Sequence, residues 1–252
     1  MSTRVGVPPV RVRLHEAVTR RLALQVVQRE RAGEQVAFPN ETDLCRELGV
    51  SRTVLRESMK VLADKGMVEM RPRTGTRARP RSEWRLLDPD ILAWQAEVAP
   101  DVRFLRDLSE VRLALEPTAA GFAAIRATPD EVEGIERSLA RREAVPSSAR
   151  YEGVVDAELD FHAALVGASH NPLLVQLSTT IREPLRVSLL ATKHSPVNLA
   201  LAVKAQRDLV GALRRRNAVA ARQAAEKAVG FAMIAIEEQV EAEASGKARR
   251  KR

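Results

Sequence analysis

The sequence predicts a mainly α-helical protein in two parts: three helices with a small β hairpin, then an all-helical antiparallel bundle. Two observations carry this prediction. From residue 101 onward, apolar residues recur three and four positions apart, and no alternating strand pattern occurs. Before residue 80, a short strand pattern is followed by a Pro/Gly turn and a return segment, which is typical of a hairpin. Five regions are expected: a disordered start (1–10), a first domain (11–79), a connector (80–100), the helical domain (101–242) and a solvated basic tail (243–252).

The charge is divided unevenly along the chain, whose formal net charge is +8. Residues 1–81 hold 17 Lys and Arg against 9 Asp and Glu, whereas residues 82–246 hold 19 against 24. The last six residues add five basic side chains and no acidic one. This distribution favours a phosphate-binding module joined to a part that does not bind phosphates, and it disfavours a protein that packages DNA along its whole length.

The first domain begins with two predicted helices. The first runs from Leu14 to about residue 31, because Leu14, Val18, Leu22 and Val26 recur four positions apart. Gly33 and the Phe38-Pro39 pair end it. Asn40 can then cap a second helix that continues to about residue 48.

A third, basic helix is predicted over residues 51–65, after a turn at Gly49. Ser51 can cap it, and Leu55, Met59 and Leu62 form its buried face. Arg52 and Arg56 share the opposite face, where a solvated surface is the alternative interpretation. The capped start, the glycine turn and the following hairpin together favour a helix that enters the DNA major groove.

The hairpin is predicted from the strand at residues 67–70 and the Arg-rich turn and return that follow. Three helices and a hairpin make a winged helix-turn-helix. Candidate DNA-binding residues are those at the start of the basic helix and in the wing: Ser51, Arg52, Thr53, Arg56, Arg71, Arg73, Thr74 and Gly75. In the connector, Asp88-Pro89 is a good helix start, and Trp84 and Trp94 indicate that this segment packs against other structure.

Six helical segments are predicted in the second part: 101–127, 129–143, 151–169, 172–192, 198–216 and 217–242. Several of them place polar residues on apolar faces. Glu158 and His162 lie four apart on a core-facing side, and Gln206 interrupts another apolar stripe. Arg112 sits at the edge of a third. Burying such groups is costly unless they are satisfied, so they predict a polar cavity in the bundle.

The chemistry of these residues leaves alternatives open. Glu158 and His162 suit two ligands of one metal ion, two contacts to a polar ligand, or an internal ion pair. Arg112 can clamp a carboxylate with its guanidinium fork or pair with Glu116 on its own helix. Gln206 can bind a ligand or only cross-link helices. The candidate effector-binding residues are therefore Arg112, Glu158, His162 and Gln206.

Two stretches of the sequence match a known family pattern. The first reads Leu44-x-x-Glu47-Leu48-Gly49-Val50-Ser51-Arg52-Thr53-x-x-Arg56-Glu57 and precedes the Gly-containing wing. It resembles the GntR family of bacterial transcription regulators. The second combines Glu110-Val111-Arg112-x-x-Leu115-Glu116-Pro117 with Phe161-His162 and Asn171-Pro172, and resembles the FCD effector-domain branch of that family. The resemblance covers most of residues 14–240. The connector pattern Trp84-x-x-x-Asp88-x-Asp90-x-Leu92-x-Trp94 is similar to that of galactonate-responsive members.

The resemblance implies a homodimer that binds a palindromic double-stranded operator and a small carboxylate effector, here an aldonate-like sugar acid. It also implies a divalent metal held by an Asp and three His in many members. Glu158 stands where that Asp is usual and His162 matches, but Gln206 replaces one His and none occurs near Phe231-Ala232. Glu158 and His162 alone make an incomplete metal site, so no cofactor or a weakly held metal is expected. Thr42 stands where the family often has Arg.

The sequence thus predicts a cytoplasmic, ligand-responsive repressor rather than an enzyme. No membrane span or signal peptide is visible, and the single Cys45 excludes an internal disulfide. The alternative is a helical-bundle metal-dependent enzyme with an appended basic domain. The sequence contains no HExxH, Cys-x-x-Cys, Gly-rich phosphate loop or nucleophile elbow to support that alternative.

Overall fold

A computed structural model of the protein describes residues 10–71, 75–98, 102–145, 151–191 and 196–250. Most of these residues are helical, and a two-stranded antiparallel hairpin is the sheet found among them. The predicted mainly α fold class is therefore confirmed. The chain divides into two compact units, Met1–Ala99 and Pro100–Arg252. The start predicted to be disordered lies outside the described residues, except for Val10, which already belongs to the first helix.

The elements of the first unit are α1 (Val10–Arg31), α2 (Glu41–Leu48), α3 (Arg52–Asp64), β1 (Val68–Arg71), β2 (Gly75–Ala78), a 3-10 helix (Arg81–Glu83) and α4 (Pro89–Glu97). Local chemistry sets several of these ends. The Asn40 side chain accepts a hydrogen bond from the backbone N–H of Asp43, and Ser51 accepts one from Val54. Gly66 follows α3 at φ +78°, and a Cβ there would lie 2.4 Å from the carbonyl oxygen of Glu83. Glycine is therefore required at this turn.

The first unit includes the segment predicted to be a connector. Trp84, Ile91 and Trp94 are buried in the same apolar core as Leu22 and Leu62. This core fixes the 3-10 helix and α4 against the three-helix domain. The compact unit therefore extends well past residue 79.

Lys65 adds a polar contact between α3 and the start of α4. Its ammonium lies 2.7 Å from a carboxylate oxygen of Asp88 and 2.8 Å from one of Asp90. Asp88 also accepts a hydrogen bond from the N–H of Asp90, as expected for the residue that begins the helix.

The elements of the second unit are α5 (Val102–Arg126), α6 (Pro129–Ala144), α7 (Tyr151–Gly167), α8 (Pro172–Thr180), α9 (Arg182–Ala191), α10 (Pro196–Arg214) and α11 (Ala218–Arg250). Helix α11 packs along α5 and α10, while α7 contacts α5, α6, α8 and α9. Buried alanines such as Ala120 and Ala124 on α5 and Ala221 and Ala225 on α11 let these helices approach closely. The central position of α7 brings its polar residues next to several neighbours.

Two predicted boundaries in this unit differ from the structure. The single helix expected over residues 172–192 is broken at Ile181, because Pro184 has no N–H to donate to Thr180 and its ring obstructs that carbonyl. The last helix continues to Arg250, so the predicted tail is helical over residues 243–250. Residues 251–252 lie outside the described part of the chain.

Candidate DNA-binding surface and buried polar cluster

Helix α3 presents a polar face to solvent at its N-terminal end. Arg52, Thr53 and Arg56 are exposed, while Val54 and Leu55 are buried behind them. Ser51 caps the helix, so its side-chain oxygen is engaged with a backbone N–H. The structure therefore brings three of the candidate DNA-binding residues onto one accessible surface at a helix start.

Residues of α2 hold the two arginines of this surface. The guanidinium of Arg52 donates to the hydroxyl of Thr42 over 3.3 Å, and Nε of Arg56 donates to Glu41 over 3.1 Å. Both contacts are at the surface, where water and phosphate oxygens compete with them easily. These contacts therefore orient the two arginines and still allow them to exchange partners.

The wing is described only in part. Strands β1 and β2 pair antiparallel from Val68 opposite Ala78 to Arg71 opposite Gly75. Arg71 is exposed and its Nε lies 2.9 Å from Glu69, while Gly75 begins β2 at φ +86°. Arg73 and Thr74, two candidate DNA-binding residues, lie outside the described residues.

The second unit contains a buried group of ionisable and amide side chains, called here the polar cluster. Each member is at most 6% exposed, and they come from α5, α6, α7 and α10: Arg112, Glu116, Arg142, Glu158, His162 and Gln206. The four predicted effector-binding residues are all members. The structure adds Glu116 and Arg142.

One half of the polar cluster joins α5 to α7. Nε of Arg112 donates to Oε1 of Glu116 over 2.7 Å, and Nη2 of Arg112 lies 3.1 Å from Nε2 of His162. The other imidazole nitrogen, Nδ1, lies 3.0 Å from Oε2 of Glu116. The sequence-based alternative in which Arg112 pairs with Glu116 therefore matches the structure, with His162 as a further partner.

The other half joins α7 to α6 and α10. Nε of Arg142 lies 2.6 Å from Oε2 of Glu158, an ion-pair contact whose alignment at Nε is too poor for a hydrogen bond. Nη1 of Arg142 donates to Oε1 of Gln206 over 3.1 Å, and the Gln206 amide donates to Oε1 of Glu158 over 2.7 Å. That same Glu158 oxygen lies 3.2 Å from Nε2 of His162. His162 thus links the two halves.

The polar cluster keeps its carboxylates ionised in spite of burial. Burial raises the pKa of Glu116, but Arg112 and His162 outweigh it and lower that pKa to about 2. Burial likewise opposes ionisation of Glu158, whereas Arg142, His162 and Gln206 lower its pKa to about 2. For His162, burial lowers the pKa, but the neighbouring Glu116 and Glu158 carboxylates raise it above its usual value.

Arg142 was missed at the sequence level, although a signal exists. The buried residues Val132, Ile135 and Leu139 of α6 form an apolar stripe, and Arg142 continues it three residues later. Its neighbour Arg141 points outward, with its side chain 61% exposed and 3.1 Å from Asp160. The periodicity, more than the residue type, distinguishes the two arginines.

The polar cluster does not fit a divalent metal. The described residues contain no group of three His, Cys, Asp or Glu placed to hold an ion. Glu158 and His162 are the two potential ligands predicted, and both oxygens of Glu158 already face other partners. A guanidinium beside the carboxylate supplies the positive charge that a metal would supply.

A small cavity lies beside His162. It measures about 70 Å³ and is lined by Leu159, His162, Ala163, Val166, Val175, Ser178, Thr179, Arg182 and Leu185. Arg182 donates to the Leu159 carbonyl over 3.2 Å and to Asp160 over 3.3 Å, yet its side chain stays 36% exposed. The cavity therefore combines apolar walls with a guanidinium, two hydroxyls and an imidazole.

None of the described helices is both long enough and apolar enough to cross a membrane.

Comparison with known proteins gave matches over both units. A family model described as bacterial regulatory proteins, gntR family, matches residues 14–77, and the FCD domain model matches residues 107–230.

Two curated relatives are regulators from Escherichia coli. The galactonate operon transcriptional repressor is 34% identical over 189 residues, which is 75% of this chain and 82% of the relative. The putative L-lactate dehydrogenase operon regulatory protein is 33% identical over 191 residues, covering 70% of this chain and 68% of the relative. A solved structure of Lar, which controls the Listeria monocytogenes agr system, aligns over 92% of this chain and 99% of its own with a TM-score of 0.54. Its 17% identity bears on the fold alone.

Proposed function

Because the chain belongs to the GntR family and carries an FCD domain, we propose that it is a homodimeric repressor released from a palindromic operator by a small carboxylate. Membership makes it a DNA-binding transcription regulator. The relatives found are regulators, so the alternative of a helical metal-dependent enzyme is set aside. The expected location is the cytoplasm, where operator DNA is found.

The observation that carries DNA recognition is the exposed set Arg52, Thr53 and Arg56 on the capped end of α3. Arginine at a recognition-helix start can form bidentate contacts with guanine or bind phosphates. Arg71, together with the wing residues Arg73 and Thr74, is proposed to contact backbone or the minor groove. Ser51 and Gly75 contribute by shaping the helix start and the hairpin.

The proposed effector site is the cavity beside His162. His162 lines it directly, and Arg112, Glu158 and Gln206 are joined to His162 through the polar cluster. The guanidinium of Arg182 is partly accessible in this cavity and can form a bidentate contact with a carboxylate. The hydroxyls of Ser178 and Thr179, on the α8 side of the cavity, suit a hydroxylated acid.

The names of two relatives refer to a galactonate operon and to an L-lactate dehydrogenase operon. Galactonate and L-lactate are both hydroxycarboxylates. These names support a sugar acid or a shorter hydroxy acid as the effector class here. Binding must differ between the DNA-bound and released arrangements, since a ligand with equal affinity for both shifts nothing.

The proposed dimer partner is a second copy of the chain, because a palindromic operator presents two equivalent half-sites. Helix α8 offers an apolar surface for it: Leu173 and Leu177 lie one turn apart on the same face and are 70% and 41% exposed. No residue of α8 is buried in the described structure. A face of this kind on a regulatory domain is a good candidate for contact with another subunit.

The effector proposal is tested by thermal shift with a panel of aldonates and short hydroxy acids. We expect one of them to stabilise the protein, and Arg182→Ala to weaken that response at least tenfold in ligand concentration. Arg186→Ala is the matched control, because Arg186 lies one turn along α9, pairs with Asp156 and does not line the cavity. Equal loss in both variants would contradict the site.

The DNA proposal is tested by mobility shift at fixed salt, with DNA from upstream of the chain's own gene and a shuffled fragment of equal length. Preference for the natural fragment, and its release by the stabilising acid, are expected. Equal affinity for both fragments would contradict specific recognition.

A further inference from the structure

The polar cluster contains its own buried cation at the place where the family resemblance implies a metal. We infer that Arg142, with Gln206, takes the place of a divalent metal, so that the helical unit is organised without one. This organisation of the helical unit does not depend on the identity of the effector.

Each carboxylate of the polar cluster already has a guanidinium as its counter-ion. Two carboxylates, Glu116 and Glu158, face two guanidiniums, those of Arg112 and Arg142, at contact distances of 2.6–2.7 Å. A divalent ion added next to Glu158 would sit beside the buried guanidinium of Arg142. Like charges repel strongly where water is excluded, so the ion would have to displace the arginine before it could bind.

The two oxygens of Glu158 that a metal would need also face other groups already. Oε2 of Glu158 faces Arg142, and Oε1 accepts from the Gln206 amide. Gln206 directs its amide oxygen to Arg142. An amide N–H₂ group cannot ligate a metal, whereas a histidine nitrogen at this position could.

The same geometry shows how the site could be converted. The side chains of Glu158, His162 and Gln206 meet at Oε1 of Glu158, within 2.7–3.2 Å. Gln206→His would therefore supply a third ligand to the Glu158 and His162 pair, and Arg142→Met would remove the competing cation. One carboxylate and two imidazoles are a sufficient protein ligand set for Zn²⁺ with water in the fourth position.

The experiment compares the wild type with the double variant Arg142→Met/Gln206→His. Metal content of the purified proteins is measured by mass spectrometry, and thermal unfolding is followed with Zn²⁺, Mn²⁺ or a chelator. The wild type should contain less than about 0.1 metal ion per chain and keep its Tm within about 1 °C throughout. The double variant should bind about one Zn²⁺ per chain, and Zn²⁺ should raise its Tm by on the order of 5 °C.

A matched control retains the buried cation. Arg141→Met/Gln206→His replaces the exposed arginine that precedes Arg142 in the sequence. Because this variant keeps Arg142, it should not bind the ion. Stoichiometric metal in the wild type, lost in Glu158→Gln, would overturn the inference. So would a folded double variant that binds no Zn²⁺, because Arg142 and Gln206 would then not be what excludes the metal. If circular dichroism shows the double variant unfolded, the wild-type metal content and chelator response still decide.

Discussion

Arg142→Met is expected to destabilise the helical unit strongly, because it leaves the Glu158 carboxylate buried without its cation. Removing one partner of a buried ion pair typically costs about 3–5 kcal/mol in the free energy of unfolding. Met fills much of the space of the arginine stem, so packing loss contributes little to the change. With an m-value of about 2 kcal/mol per molar urea, the midpoint should fall by about 2 M.

The two tryptophans make the location of the effect measurable. Trp84 and Trp94 are both in the core of the first unit, so tryptophan fluorescence follows the unfolding of that unit. Circular dichroism at the helical band follows both units. The variant should therefore shift the dichroism transition to lower urea while the fluorescence transition stays within about 0.3 M of the wild type.

Arg141→Met is the control, because it removes an exposed ion pair with Asp160 from the same turn of α6. Exposed pairs contribute about 0–1 kcal/mol, so its midpoint should move by less than about 0.5 M. Lowering the pH should reduce the penalty in Arg142→Met, since Glu158 can take up a proton there. Equal midpoints for the two variants would refute the reasoning that Arg142 is the counter-ion of Glu158.

Three further predictions concern the DNA surface, the pH response and the dimer. Arg52→Ala should weaken operator binding by about tenfold or more in a mobility shift at fixed salt without changing Tm; unchanged affinity would remove Arg52 from the interface. The lowered pKa values of Glu116 and Glu158, about 2 against a usual 4.5, stabilise the fold fully above about pH 4.5, and this contribution is lost as the pH falls towards 2. Thermal unfolding followed by circular dichroism from pH 5 to pH 2.5 should show that loss, and a flat Tm would contradict it. Leu173→Glu should convert a dimer to a monomer in sedimentation, whereas an unchanged mass would place the interface elsewhere.

The features that could be predicted from sequence depend on neighbours within one turn of helix. The caps at Asn40 and Ser51 follow from short side chains that reach the backbone three residues on. The meeting of Glu158 and His162 follows from their spacing on α7. The sequence also placed Gln206 on an inward face, but it contained no information on which partner it meets.

The features that were not predicted depend on tertiary packing or on a local signal that a stronger pattern conceals. Arg141 and Arg142 are adjacent and chemically identical. The apolar stripe of α6 indicates that Arg142 is the inward one, but only the packing of α6 against α7 makes Glu158 its partner. The break at Ile181 had a local cause in Pro184, but the apolar pattern on both sides concealed it. Periodicity identifies a buried face without saying what lies opposite.

The packing of α4 into the first unit has a consequence for building hybrid regulators. A DNA-binding head cut at residue 79 would lack Trp84, Ile91 and Trp94, and would expose the apolar surface that these three side chains cover. A cut made after residue 98 would keep that core intact. Exchanges of effector domains between relatives should therefore join the two proteins beyond α4, so that the donor of the head supplies its own tryptophans.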